Sequence, residues 1–541
     1  MFPKYYLTLS LLSLCSCAYS ASTTDLPLMN EQQRQLFEDI KRVNTKIPSS
    51  QYDILPEESE AISITISDGV SYPVKEIVLH NNTLLSKNEV MAIVNRYTYQ
   101  ELGILALNKL CKELTNLYME HGYITSRVYL TPQDISDGIV DLYALEGTVE
   151  KVVSDNTKTK PPFFGIINNS LNLIKLENSL EQVNRLRSNK TTMNLIPGEG
   201  RGGSVVILNT QETRPIFGTL GINNYGSDST GKLQLSGGLT WENPLGISDI
   251  FTLNINTTNK QEVGKKSFGN FYTYSVPLGS CLWEAGFSRF TYDQTIYGLN
   301  NDFLSHGESV VSSLTSTYKL HHTKNYSIDI NAQIAKKNNE SRIEGIVIES
   351  STYNLSVVNL GLKYVYRQPS WELYTLINYY KGMNLFNPTT GRTLPHDFSK
   401  WTLSAGATKY LDTPIPMTYR FSGFAQHSND LLYSVEQLSI GGAYSVRGFQ
   451  KLGITGNRGW YTRNDLSFPM NQYFSPYIAY DIGHVSSDTS VQGGTLSSAS
   501  LGLRSHYRNF SLDIYHANPI NHPNDTFSTA PFVGANLSAN F

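Results

Sequence analysis

From Ile216 to the C-terminal Phe541, apolar and polar residues alternate with a period of two, segment after segment. Leu233, Leu235, Leu239 and Trp241 interleave with Lys232, Gln234, Ser236 and Thr240, and Phe251, Leu253 and Ile255 with Thr252, Asn254 and Asn256. Ile328, Ile330, Ala332 and Ile334 interleave with Ser327, Asp329, Asn331 and Gln333. Phe510, Leu512 and Ile514 do the same with Ser511, Asp513 and Tyr515. The last segment sets Val533, Ala535, Leu537, Ala539 and Phe541 against Gly534, Asn536, Ser538 and Asn540. Successive side chains of a strand point to opposite faces, so each segment has one apolar and one wet face. We count 16 such segments in these 326 residues. A tilted membrane strand needs about 9–11 residues in the hydrocarbon core, so each segment has room for one crossing and its connection. The polar partners describe a watery lumen, where a soluble sandwich would need a second dry sheet. Residues 215–541 therefore read as an all-β, 16-stranded transmembrane barrel.

Composition agrees with that reading. Charged residues make up 16% and apolar residues 40% of the chain, with 34 Tyr and 40 Gly; an average soluble protein is about 25% charged. The net charge of −3 argues against a broad nucleic-acid surface. The N-terminus has Lys4, an apolar core from Tyr5 to Leu14, and small residues at Ala18 and Ser20. That is the layout of a secretory signal over residues 1–20, with a lipoprotein signal at Cys17 as the alternative. Beyond it no apolar run reaches the length of a membrane helix, so any span must be a barrel. Cys111 and Cys281 remain in the mature chain without metal-ligand spacing, and read as unbridged packing residues.

The N-terminal third has a different texture. Glu31 to Lys46 reads as an amphipathic helix with Leu36, Phe37, Ile40 and Val43 on one stripe, stopped by Pro48. The helical segment as a whole, residues 29–47, needs a groove or lumen to rest in; a frayed tail is the other reading. A linker follows over 48–72. Residues 73–147 form a first α+β module in the order β-α-α-β-β. Its strands are Val74–His80, Thr125–Leu130 and Ile139–Leu145. Its first helix runs from Ser86 to Tyr97, with Ser86 and Glu89 as a capping box. The second runs from Leu105 to His121, with a stripe of Leu107, Leu110, Cys111, Leu114, Leu117 and Tyr118, and ends at Gly122. Residues 148–212 repeat the pattern in reduced form: strand Val149–Ser154, helix Leu176–Leu186, and a hairpin of Thr191–Ile196 and Ser204–Thr210.

Two phosphate-binding look-alikes fail on context. Gly226 to Lys232 resembles a P-loop, but Leu233 stands where Ser or Thr must hold magnesium, and its flanks are strands. Gly198, Gly200 and Gly203 have G-x-G-x-x-G spacing but precede a strand, so the run is a hairpin turn. No serine elbow, H-E-x-x-H or paired zinc ligands occur, and nothing in the sequence argues for catalysis, a cofactor or a metal. One constellation stands out. Val446, Arg447, Gly448 and Phe449 lie on a long Gly-rich connection near residues 440–457, between two barrel strands. An Arg there is costly to order unless its guanidinium docks on a carboxylate. Asp481 shares its parity with Tyr477, Ala479 and Gly483; if that face is the lumen, Asp481 is a suitable anchor. The competing reading is an exposed loop Arg and a solvated lumen Asp.

At this motif the sequence resembles a known family. Val446-Arg447-Gly448-Phe449 resembles the VRGF/Y loop tip of TpsB-type two-partner secretion transporters, the ShlB/FhaC/HecB/CdiB-like members of a superfamily that joins POTRA modules to a barrel. Tyr480-Asp481-Ile482-Gly483 resembles the strand motif that partners it, although Ala479 stands where that motif usually has Phe or Gly. Gly122 to Arg127, Pro132-Gln133 and Leu145-Glu146-Gly147 resemble the first POTRA domain; Asn184-Arg185-Leu186 and Leu195 to Glu199 resemble the second. Asn223 to Gly226 and Glu242 to Gly246 resemble the opening barrel strands.

The resemblance implies a plug helix in the barrel and POTRA modules in the periplasm of a Gram-negative bacterium. It implies an unfolded partner captured by strand addition and led through the barrel. The loop tip and its Asp481/Gly483 anchor would fold back into the lumen. The implied partners are a large secreted TpsA-type exoprotein (haemolysin, adhesin or contact-dependent inhibition toxin), outer-membrane lipid and lipopolysaccharide, and the barrel-assembly machinery, which would read Phe541. Some haemolysin transporters also activate their cargo. No nucleotide or nucleic acid is implied. A barrel-assembly factor and a diffusive porin are the alternatives; the first as a rule has more POTRA modules, and the second lacks a periplasmic part.

Overall fold

The computed structural model describes residues 27–29, 31–35, 71–259, 262–297, 300–323, 325–388, 394–449, 453–488, 493–523 and 530–541. The signal sequence expected over 1–20 and residues 48–70 of the linker expected over 48–72 lie outside the described residues, as do Leu36, Phe37, Ile40 and Val43; Tyr72 already opens a strand.

The first module packs two helices on a three-stranded sheet. Strand Glu76–His80 runs parallel to the central Ile139–Leu145, and Arg127–Leu130 pairs antiparallel on its other side. The helix Ile104–Glu120 presents Leu107, Leu110, Cys111, Leu114 and Tyr118 to this sheet. Gly122 follows it in the left-handed region, at φ 85°, where a Cβ would be strained. Two boundaries differ from the sequence reading. The helix capped by Ser86 stops at Val94, and Asn95 to Tyr99 unwind so that Tyr99 can donate to the Val74 carbonyl. The strand expected over Val74–His80 is two strands, Tyr72–Val74 and Glu76–His80, because the Gly138 carbonyl takes the Lys75 and Glu76 amides.

The second module repeats the architecture with one helix, Leu173–Asn184, on a sheet of Thr148–Ser154, Gly203–Glu212 and Asn189–Pro197. The helix starts earlier than its apolar stripe, since the Asn172 side chain caps it at Lys175. The G-x-G-x-x-G run is the turn of the terminal hairpin, folded over the Glu150 carboxylate. Glu150 accepts from the amides of Glu199 at 3.0 Å and Gly200 at 2.7 Å. These bonds hold the carboxyl below its ordinary value.

The alternating segments close into an antiparallel barrel, from Ile216–Asn223 round to Phe532–Asn540, which pairs with the first strand. A two-residue strand, Ile346–Val347, only extends one hairpin, so 16 strands make the wall. Leu235, Leu239, Trp241, Phe510, Ile514, Val533, Leu537 and Phe541 lie exposed on the outer face, while Asn256, Asp329, Ser467 and Asp481 are buried within. Several strands are longer than a crossing requires, such as Asp302–His322 with 21 residues. Their excess carries hairpins beyond the hydrocarbon band. The P-loop look-alike is a strand connection in which the Gly226 amide donates to Lys232.

The second module sits on the barrel end that has the short turns. Glu242 is only 2% exposed; it accepts from the Ser188 amide at 2.8 Å and Arg187 Nε at 3.2 Å. Arg185 donates to Ser275 Oγ and the Ser248 carbonyl, both at 2.9 Å. Glu181 meets Lys319 and His322. Burial pushes its carboxyl up, but the hydrogen bonds from His322 and Lys319 and the Lys319 charge outweigh that and hold it below the ordinary value.

Candidate functional site

After strand Met417–His427 the chain leaves the barrel wall and turns inward. It rejoins the wall at Gly459–Ser467, on the opposite end from the modules. Within this connection a small hairpin pairs Leu438–Ile440 with Ile454–Gly456. Its core is apolar: Leu438, Ile440, Val446, Phe449 and Ile454 pack on Phe424, Tyr461, Val485 and Leu496 of the wall. The loop thus carries a hydrophobic core of its own into a polar lumen, and burial of that core supplies the driving force for its inward fold.

At its tip Arg447 is 1% exposed and Asp481 is fully buried. Arg447 Nε lies 2.6 Å from Asp481 Oδ2 and Nη2 lies 2.7 Å from Oδ1, a planar fork on a planar carboxylate. The Arg447 amide also donates to Oδ2 at 3.1 Å. Nη2 reaches a second carboxylate, Asp465 Oδ1, at 2.6 Å. Asp465 in turn is held by Arg504, which lies 3.4 Å from Asp513, and Tyr477 donates to Asp513 at 2.9 Å. The rings of Tyr515 and Tyr477 stand 5.7 and 6.0 Å from the Arg447 guanidinium carbon. One rule explains why the tip can be buried. A buried charge is tolerable only when paired and hydrogen-bonded, and here the tip cation meets two anions in place of water.

The neighbouring glycines have steric reasons. Gly448 takes φ 92°, which turns the chain directly after Arg447. At Gly483 a Cβ would stand 3.2 Å from Val446 Cγ2 and 3.1 Å from the Trp460 carbonyl, so its absence lets the loop tip close on the wall.

The sequence singled out Val446, Arg447, Gly448, Phe449, Asp481 and Gly483, and the structure brings all six together. It missed Asp465, Arg504 and Arg463, whose Nη1 donates to the Ala443 carbonyl at 3.0 Å. A signal for two of them was present: Tyr461, Arg463, Asp465 and Ser467 share one parity on a barrel strand and are all buried. Charge on an inward parity is expensive unless it is used.

Beside the loop lies the start of the N-terminal helix. Residues 27–29 and 31–35 are helical, so it begins earlier than its apolar stripe indicates. Leu28 packs with Phe290, Tyr292, Leu355 and Phe398 on the inner wall. Gln33 donates to the Ser439 carbonyl of the loop, and Glu31 accepts from Asn256 at 3.4 Å. The described part of the helix and the loop therefore touch each other inside the lumen. A small cavity of about 60 Å³ remains between Glu31, Arg34, Tyr225, Gly442 and Tyr444.

Residues 202–505 match the family described as haemolysin secretion/activation protein ShlB/FhaC/HecB. Residues 72–147 match the ShlB-type POTRA domain and residues 148–197 a POTRA domain. The chain is 29% identical to the outer membrane transporter CdiB of Escherichia coli over 536 residues, covering 92% of this chain and 86% of that one. It is 29% identical to the hemolysin transporter protein HpmB of Proteus mirabilis over 535 residues, with 93% of both chains covered. The solved structure of CdiB from Escherichia coli superposes with a TM-score of 0.79 at 28% identity, over 96% of this chain and 99% of that one.

Proposed function

The chain belongs to the haemolysin secretion/activation protein family ShlB/FhaC/HecB, and from that premise we propose how its parts carry a partner protein across the membrane. It is an outer-membrane transporter of a two-partner secretion system, with a 16-stranded barrel and POTRA modules in the periplasm. Its cargo is a large secreted exoprotein of the haemolysin or contact-dependent inhibition kind, delivered unfolded. The outer strands Arg127–Leu130 and Asn189–Pro197 have no further strand partner among the described residues. An extended cargo segment adds to such an edge through main-chain hydrogen bonds.

The observation that carries the reading is the inward loop. A barrel that only leaked small solutes would gain nothing from a buried Arg447 pinned by Asp481 and Asp465. The resting pore is closed by this loop and by the helix that touches it, and both rearrange to let the cargo chain through. No nucleotide drives the passage; cargo folding outside biases it. Outer-membrane lipid and lipopolysaccharide surround the barrel, and the barrel-assembly machinery inserts it.

The test is co-expression with a large secreted exoprotein as candidate cargo. Cargo in the medium that depends on this chain supports the reading. Cargo that appears without the chain, or that never leaves the periplasm, removes its support.

A further inference from the structure

The loop that carries Arg447 has a second ionic anchor of opposite sign near its root. Glu436 lies 11 positions before Arg447 in a single 3₁₀ turn, Ser434–Glu436, and is 1% exposed. Its carboxylate sits between two wall cations. Lys400 Nζ is 2.8 Å from Oε2, and Lys337 Nζ is 2.5 Å from Oε1. Lys400 Nζ also donates to the Glu436 carbonyl at 2.8 Å, and Gln426 Nε2 donates to the same carbonyl at 2.9 Å. Lys337 comes from the strand Tyr326–Ile343 and Lys400 from Ser399–Leu411. Asp465 and Asp481 come from Gly459–Ser467 and Phe474–Val485.

The loop is thus tied to the wall in two places: an anion on it meets cations from one sector, and a cation on it meets anions from another. Packing alone does not require this. The apolar contacts of Leu432, Tyr433 and Val435 with Tyr353, Leu355 and Phe398 already seat the root. Burying a carboxylate and two ammonium groups there costs solvation that isosteric apolar residues would avoid. What charges add is a contact that separates into stable, hydrated halves once water reaches it. Such a contact holds the loop while dry and lets go cleanly when the lumen opens.

We propose that Glu436, with Lys337 and Lys400, is a second latch of the inward loop, and that pore opening requires its release as well as that of Arg447. Glu436 is a positioning residue: it touches no cargo and acts by holding the root of the loop. The proposal rests on the reading of the loop as a moving closure, so its test is made on the pore without cargo.

The purified full-length chain is placed in planar bilayers, with heat-modifiable mobility as the check that the barrel is formed. Glu436→Gln leaves two cations facing a neutral amide, and the open probability is expected to rise at least about fivefold at unchanged unit conductance. Lys337→Gln, a milder change at a less buried residue, is expected to raise it in the same direction but less. The triple variant Lys337→Met, Lys400→Met, Glu436→Met removes all three charges and is expected to return the open probability toward wild type, because no charge is left uncompensated. A rescue of this kind separates a charge latch from lost packing. If Glu436→Gln does not assemble, Lys337→Gln against the triple variant decides alone. Wild-type open probability in both single variants, or a triple variant as open as Glu436→Gln, overturns the proposal. A failure of export by the wild-type chain would count against the transport reading and would leave these pore measurements standing.

Discussion

Arg447 and Asp481 lie 34 positions apart in sequence and meet through two side-chain hydrogen bonds of 2.6 and 2.7 Å, with a third from the Arg447 amide at 3.1 Å. The pair joins a loop tip to a barrel strand inside a lumen lined by polar side chains. Its geometry uses Nε and Nη2 as a fork on Asp481 and leaves the second hydrogen of Nη2 for Asp465. That division of labour makes the two carboxylates unequal.

Asp481→Asn is therefore expected to damage export more than Asp465→Asn. Asp481 supplies three acceptances to Arg447, whereas Asp465 supplies one and keeps Arg504 as a partner. Removing one member of a buried pair costs about 3–5 kcal/mol, and a hydrated lumen lowers that figure. Arg447→Lys should resemble the loss of the pair, since a single ammonium cannot reproduce the planar fork. Secreted cargo, blotted at equal barrel level, ranks the variants. Equal damage from the two Asn variants would contradict the geometry.

Deleting residues 31–46 is expected to raise conductance in planar bilayers while export continues. The described start of this helix packs Leu28 on the inner wall and joins Gln33 to the loop at Ser439. An unchanged conductance would mean that the helix does not obstruct the pore.

Glu242→Gln should loosen the second module from the barrel. The carboxylate is almost fully enclosed and takes both the Ser188 amide and Arg187. Weakening a buried acceptor of this kind costs about 1–3 kcal/mol. The expected readout is faster hydrogen exchange at Ser188 and along the helix Leu173–Asn184, with the first module unaffected. Exchange at the wild-type rate would show that the contact does not hold the module.

The hairpin turn over Glu150 should be acid-sensitive. The amides of Glu199 and Gly200 hold this carboxyl below its ordinary value of 4.5. A depressed folded value means that the stabilisation is complete above the ordinary value and fades as pH falls through the folded one. Amide exchange at Glu199 and Gly200, corrected for its intrinsic pH dependence, should lose protection as pH is lowered from 6 to about 3. Glu150→Gln should remove that dependence. Protection that is flat with pH in the wild type would contradict the assignment.

The barrel was readable because its physics is written locally. A strand between lipid and water must alternate, and Leu512/Asp513 or Leu537/Ser538 show it without any knowledge of neighbours. The modules were readable for the same reason, from the stripe Leu107–Leu114 and the Gly122 stop. Boundaries slipped where a tertiary contact decided them, as when Gly138 splits the first strand at Lys75. Arg447 and Asp481 could be offered as a pair because a costly Arg and an inward Asp each stood out, and the resemblance to the transporter loop and strand motifs favoured it over an exposed loop Arg. Asp465, Arg504 and Glu436 could not be assigned to partners in this way. Their partners lie 18, 39, 36 and up to 99 positions away, and register across the closed wall, which no local pattern states, brings them together.

In the proposed mechanism Arg447 is the residue that holds the transporting pore closed. The most direct measurement is cargo secretion by cells carrying the wild-type chain or Arg447→Ala, with a large candidate exoprotein co-expressed and folded barrel quantified in both. Cargo is expected in the medium with the wild type, with a loss of at least about tenfold for Arg447→Ala at equal barrel level. Undiminished secretion by the variant would contradict it.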